Sequence, residues 1–138
     1  MKVVINECWG GFGLSKDAIK RLVELGDTHI KKMTNEEYYG NTARASGTTI
    51  KEERERDMKW SPQLFLDSDL DHIYSDEHRW KDELRSCSLL VQVVEELKDK
   101  ADAEHANLIV VEVPDNIEYE IDEYDGQETV DEKHRSWR

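Results

Sequence analysis

The stretch Leu89-Leu-Val-Gln-Val-Val-Glu-Glu-Leu97, followed by Leu108-Ile-Val-Val-Glu-Val113, decides the fold. Leu89, Leu90, Val93, Val94, Leu97 and Ala101 recur at helical spacing, so they form one apolar stripe along a helix. The polar stretch from Lys98 to Asn107 ends that helix. Leu108 to Val113 reads as a buried strand, stopped by Pro114-Asp115-Asn116. Ile117, Tyr119 and Ile121 then alternate with polar residues and lead into Asp125-Gly126, a hairpin-turn dipeptide. The pattern predicts a return strand over Thr129 to His134. Helix, strand, strand, turn, strand makes a compact antiparallel unit with a helix laid over one face.

Working outward, Lys2 to Cys8 reads as a strand, because Val3, Val4 and Ile5 suit a sheet and the run ends at a glycine cluster. Ser15 is a good N-cap, and Asp17 puts a negative charge in the first turn, where the helix dipole favours it. Leu14, Ala18, Leu22 and Leu25 give that helix one buried face, and Gly26 terminates it. In the middle, Thr34-Asn-Glu-Glu37 has the form of a capping box. Asn41 to Thr49 has the composition of a loop, and Lys51 to Asp57 reads as a mixed-charge helix with a solvated face. Trp60 to Leu66 supplies apolar anchors after a break at Pro62, and Asp76 to Leu84 reads as a short helix. With no internal repeat or long linker, residues 1–138 form one domain, in which 27–84 is a helical and loop elaboration. The expected class is α+β: a single small domain whose antiparallel sheet joins the N-terminal strand to the C-terminal hairpin strands, packed against two or more helices.

The chain has 138 residues, of which 37% are hydrophobic and 37% charged, enough for one domain with a modest core. Its longest uninterrupted apolar run, Leu108 to Val111, is far short of a membrane span, and the opening residues lack the apolar region of a secretory signal. Cys8 and Cys87 make neither a metal spacing nor a disulfide framework, so a reducing cytosol is expected. The formal net charge is −13, and from Glu112 to Glu132 acids recur with no Lys or Arg between them. Such a surface repels a nucleic-acid backbone. Its simplest reading is the solvent face of an antiparallel sheet; the sharper one is mimicry of a nucleic acid in a basic groove.

The loop Cys8-Trp-Gly-Gly-Phe-Gly-Leu-Ser15 is the most suggestive local feature. Glycines let backbone amides approach a ligand, and the helix begun at Ser15 offers unpaired N–H groups to an anion. Trp9 and Phe12 can stack on a base or close a pocket. The loop is neither the dinucleotide fingerprint nor a Walker loop, and a tight turn whose rings plug the core is the simpler reading of these residues alone. Among the cations, Arg44, Arg54, Arg56 and Arg85 could pair two phosphate oxygens through the planar guanidinium. Arg54 and Arg56 lie among Glu52, Glu53, Glu55 and Asp57 and are better read as surface ion pairs; Arg85 is followed by an acid-free stretch and is the better candidate. Asp67-Ser-Asp-Leu-Asp71 opens like a calcium loop, but His72 and His78 stand where Gly and Glu are required. The histidines at 29, 72, 78, 105 and 134 are scattered, with no zinc spacing, so no metal or other cofactor is expected. No nucleophile elbow or other catalytic motif argues for an enzyme. Tyr119 and Tyr124 read first as sheet-face packing residues, and the tail His134-Arg-Ser-Trp137 docks on the core or reaches a neighbouring subunit.

The two ends of the chain carry a resemblance. Val3-Val-Ile-Asn-Glu-Cys-Trp-Gly-Gly-Phe-Gly-Leu-Ser15, Leu89 to Leu97, Ala106 to Pro114, Tyr119-Glu-Ile-Asp-Glu-Tyr-Asp-Gly126 and His134-Arg-Ser-Trp137 look like small phage-encoded proteins. Among named groups the chain resembles the first Thoeris anti-defence family. The resemblance implies a sponge that binds a cyclic ADP-ribose immune signal in the host cytoplasm without degrading it. Candidate ligand contacts are Trp9, Gly10, Gly11, Phe12, Gly13, Arg85, Tyr124 and Arg135. It also implies a homo-oligomer, a dimer or a hexamer, joined through the helix from Leu89 to Lys100 or the hairpin edge near Thr129 to His134. Nucleic acid and membrane are not expected partners. A reading from a different class is an acidic decoy that blocks a host nuclease by charge mimicry.

Overall fold

The computed structural model describes residues 1–66 and 71–133. In chain order it contains β1 (Lys2–Asn6), α1 (Lys16–Glu24), β2 (Ile30–Thr34), α2 (Asn35–Ser46) and α3 (Ile50–Trp60). Then come β3 (His72–Asp76), α4 (Ser88–Leu97), β4 (Leu108–Glu112), β5 (Tyr119–Tyr124) and β6 (Gln127–Glu132). Short 3-10 turns fill Pro62–Leu64, Glu77–Arg79, Asp82–Ser86 and Lys98–Ala101. The class is α+β and every strand pair is antiparallel, as expected. The strands nevertheless divide into three pairs, β1 with β4, β2 with β3 and β5 with β6, and do not form one sheet.

Asn6 explains why the hairpin stays separate from β1. Its backbone N–H donates to the Glu128 carboxylate at 2.9 Å, not to a backbone carbonyl of β6. Its side-chain amide donates to Gly126 O at 2.8 Å and Cys8 O at 2.6 Å, and its Oδ1 accepts from Asn107 N at 2.8 Å. Side chains thus replace the ladder where the two pairs meet, and every one of these groups is satisfied away from water.

The main core forms where α4 crosses α1 and the β1–β4 pair. Leu90, Val93 and Val94 of α4 meet Ala18, Ile19 and Leu22 of α1, with Val4 and Leu108 beneath them. Each such Leu or Val stabilises the fold by about 1.5–3 kcal/mol when fully buried. The apolar stripe of α4 therefore packs mainly within the chain, with Leu89 and Leu97 partly buried at its ends. A smaller cluster of Tyr39, Leu64 and Ile73 holds α2 and β3 together.

Local signals behave as read at both ends. The Ser15 hydroxyl accepts from Ala18 N at 3.1 Å, and Gly26 leaves α1 with φ +85°. Asp125 and Gly126 both take positive φ, 53° and 89°, the requirement of a two-residue type I′ turn, so the return strand starts at Gln127 and not at Thr129. The middle differs more. Asn41–Ser46 is not a loop but the second half of α2, because Tyr39, Gly40 and Ala43 pack inward and that burial overrides weak helix propensity. Gly47, at φ +69°, supplies the stop. α3 carries the reciprocal Thr49–Glu52 capping box, yet its charged run is not wholly solvated: Glu53 and Arg54 are buried. Asp76 to Leu84 is not a helix but the end of β3 and successive 3-10 turns. Asp76 accepts from His78 N at 2.9 Å, and that cap turns the chain away from β3. No helix among the described residues is long and apolar enough to cross a membrane.

Candidate functional site

The glycine loop after β1 is shaped mainly by close packing. A Cβ at Gly10 would collide with the His105 backbone, and one at Gly126 with Trp9 O and the Gly11 amide. Gly13 lies tight against the Ala103 side chain. Gly11 faces open space but takes φ +88°, which favours glycine. The two rings go separate ways: Phe12 is buried, while Trp9 stays 62% exposed and stacks on His105 with centroids 4.9 Å apart.

Arg85 is not placed to hold a phosphate. It is 3% exposed and lies over the Phe12 ring at 3.7 Å. Its Nε donates to His78 O at 2.8 Å. Nη1 donates to Glu128 Oε1 at 2.7 Å and Val4 O at 3.4 Å, and Nη2 to Glu128 Oε2 at 3.0 Å and Arg79 O at 3.3 Å. A guanidinium has five N–H donors, and all of them meet an acceptor here. Glu128, expected on the solvent face, is thereby buried as the partner of Arg85.

The other expected contacts scatter. Tyr124 is 85% exposed at the hairpin tip, so it does not pack on a sheet face, and it lines neither the cleft at the glycine loop nor the groove beside Trp80. Arg135 and the rest of the tail, like Asp67 to Leu70 of the calcium-like loop, lie outside the described residues. Arg44 pairs with Glu36 on the surface at 2.7 Å, as an ion pair should. Arg54 does not: it is buried, donates to Asn35 Oδ1 at 2.6 Å and His72 O at 3.1 Å, and stacks on Phe65. Arg56 pairs with the buried Glu53.

A cleft of about 190 Å³ brings the glycine loop, Gly10 to Gly13, against Trp60, Gln63 and Arg79. Trp60 projects from the end of α3 and is 69% exposed. Arg79 and Trp80 follow His78 in the turn after β3; the guanidinium carbon sits 4.8 Å over the Trp80 ring. Among the described residues this guanidinium makes no hydrogen bond or ion pair. In a chain with net charge −13 an exposed, unpaired Arg between two exposed indoles is unusual. Trp80 also borders a broader groove of about 740 Å³, where Lys81, Lys133 and Tyr119 stand among Asp82, Glu83 and Glu118. The Gly11 N–H is taken by Cys8 O at 3.3 Å and Glu104 also lines the cleft, so it is the planar cation and the aromatic faces that suit an anionic ligand carrying a base. Sequence reasoning passed over Arg79 and Trp80, although the adjacent pair is itself a usable signal for a cation resting on an aromatic face.

A second gathering was not foreseen. Asp27 and His29 of the α1–β2 loop, His78 of the turn after β3 and Cys87 at the start of α4 come together. Asp27 and His29 lie far in sequence from His78 and Cys87, so no spacing motif joins the four. Compared with protein-family models, curated proteins and solved structures, the chain finds no match.

Proposed function

We propose that the protein binds and sequesters a small cyclic nucleotide signal, of the cyclic ADP-ribose type, without cleaving it. The observation that carries this reading is the unpaired Arg79 guanidinium beside the glycine loop, between Trp60 and Trp80. The cleft alone, about 190 Å³, is below the range of about 300–1,000 Å³ usual for small-molecule pockets. A ligand of two nucleotide halves therefore places one half there and extends past Trp80 into the neighbouring groove, where Lys81 and Lys133 offer further charge to phosphate. The resemblance to phage anti-defence proteins supplies the ligand class, the host cytoplasm as the place of action and the association of copies.

The test is to incubate purified protein with the cyclic signal, remove unbound material, heat-denature the protein and assay what is released. Intact ligand is expected; cleaved product would make the protein an enzyme, and no depletion would sink the reading. Arg79→Ala and Trp60→Ala keep the fold, since both side chains are exposed, and each weakens binding by about tenfold or more.

The acidic decoy has its own supporting observation. Asp122 is raised from its ordinary value chiefly by a side-chain hydrogen bond with Asp131, with Glu120 and Asp82 adding repulsion. A face that crowds carboxylates this closely imitates a phosphate backbone. A decoy co-purifies with a basic host protein in a complex that salt dissolves, and reversing Glu118, Glu120, Asp122 and Glu123 abolishes it while sparing nucleotide binding.

A further inference from the structure

We propose that Asp27, His29, His78 and Cys87 form a tetrahedral site for a divalent transition-metal ion, and that the ion it suits is zinc. One ligand atom from each residue lies within 4.8 Å of all the others. With metal–nitrogen and metal–oxygen bonds of about 2.0–2.1 Å and a metal–sulfur bond of about 2.3 Å, neighbouring ligands in a tetrahedron stand roughly 3.3–3.6 Å apart. The set is therefore wider than a closed tetrahedron by about 1 Å at its widest separations, a gap of the size that side-chain movement covers. Two imidazoles, a thiolate and a carboxylate are a zinc donor set; calcium and magnesium prefer oxygen alone.

The hydrogen bonding around the four residues is incomplete without a cation. His78 is fully buried; its Nδ1 faces Leu84 O at 3.4 Å and its Nε2 faces Asp27 Oδ2 at 3.1 Å. A carbonyl and a carboxylate both only accept, and a neutral imidazole has one N–H to give. A second proton would complete that pair, but it would leave His29 Nδ1 without a partner. His29 Nδ1 is buried with no hydrogen-bond partner, 3.6 Å from Asp27 Oδ1. Cys87 Sγ stands 4.0 Å from Asp27 Oδ2. A metal ion engages all four at once. The outer contacts are those a metal site needs. The Leu84 carbonyl keeps the proton on His78 Nδ1 and frees Nε2, while His29 N at 2.6 Å and Ile30 N at 3.2 Å hold Asp27 Oδ1 and turn Oδ2 inward.

Four protein ligands close the coordination sphere, so the ion has a structural role. It ties the α1–β2 loop and the start of α4 to the turn that presents Arg79, the residue after His78. The inference stands whether or not the cleft binds a nucleotide.

The test uses the full-length, untagged chain stripped with chelator and then titrated with zinc or cobalt. The expected results are one zinc per chain by elemental analysis, a melting temperature that rises with zinc, and the intense visible bands of tetrahedral cobalt with a thiolate charge-transfer band. Cys87→Ser abolishes the charge-transfer band, whereas Cys8→Ser keeps it. The double variant His29→Gln with Cys87→Ser, checked for folding by circular dichroism, binds zinc at least about a hundredfold more weakly, beyond what outer contacts alone cost. Octahedral cobalt spectra, a charge-transfer band that follows Cys8, or equal zinc binding by the folded double variant would overturn the site. If the double variant fails to fold, the wild-type cobalt spectrum and its response to Cys8→Ser decide.

Discussion

Arg85 and Arg79 stand six residues apart in opposite environments, one buried and one exposed. Arg85 donates to two backbone segments and to Glu128 from a place where water cannot substitute for a lost partner. Arg85→Ala leaves the Glu128 carboxylate buried and uncompensated, so it costs about 3–5 kcal/mol in urea denaturation. Replacing both, as Arg85→Met with Glu128→Leu, recovers part of that loss, although Asn6 N then loses its acceptor. A stability loss below about 1 kcal/mol for Arg85→Ala, the level of a surface pair, would contradict this account. Arg79→Ala is expected to follow the opposite pattern, with stability kept and, on the proposed function, nucleotide binding weakened about tenfold or more.

The glycine loop and the hairpin turn test each other at the level of elements. Gly126→Ala meets both a positive φ and the Trp9 backbone, so it destabilises by more than about 3 kcal/mol. Gly11→Ala meets only the positive φ, and costs about 1 kcal/mol. Equal losses in thermal melts of the two variants would mean that the turn does not press on the loop. Both positions were legible as turns from the sequence, as were the α4 stripe, the Ser15 cap and β4, because those signals are local. β2 and β3 were not: Lys31-Lys32 and His72-Ile-Tyr-Ser75 lack a clean alternation, and the two strands find their pattern only in each other. The helical half of α2 was hidden by Asn, Thr and Ser, whose turn preference yields to the burial of Ala43. The saturation of Arg85 and the gathering around Asp27 depend on partners far along the chain, which spacing cannot reveal.

Charge acts on the whole molecule. Asp122 is raised above its ordinary 3.8 chiefly by its hydrogen bond with Asp131, and Asp76 and Asp102 are raised chiefly by burial. A carboxyl raised in the folded state binds its proton more tightly there than in the unfolded chain. Its contribution is complete below the unfolded value of 3.8 and is lost as pH rises through the higher folded value. Asp122→Asn removes one such term, so its melting temperature at neutral pH exceeds wild type and the gap closes on acidification. Added salt raises the wild-type melting temperature at neutral pH by screening the same repulsion. Parallel pH profiles for the two proteins would rule out the carboxylate pair as the source.

The pairing of Lys2 with Glu112, and the bonds from Asn6 to Gly126 and Glu128, also bear on synthesis. In order of synthesis, β1 comes before every other strand among the described residues and is completed by segments more than a hundred residues later. Until they appear, Val3, Val4 and Ile5 remain an unpaired apolar edge on a nascent chain. Completing β1 therefore waits for the late segments and carries the entropic cost of closing a long loop. During that interval the chain depends on chaperone capacity or on rapid translation to escape aggregation.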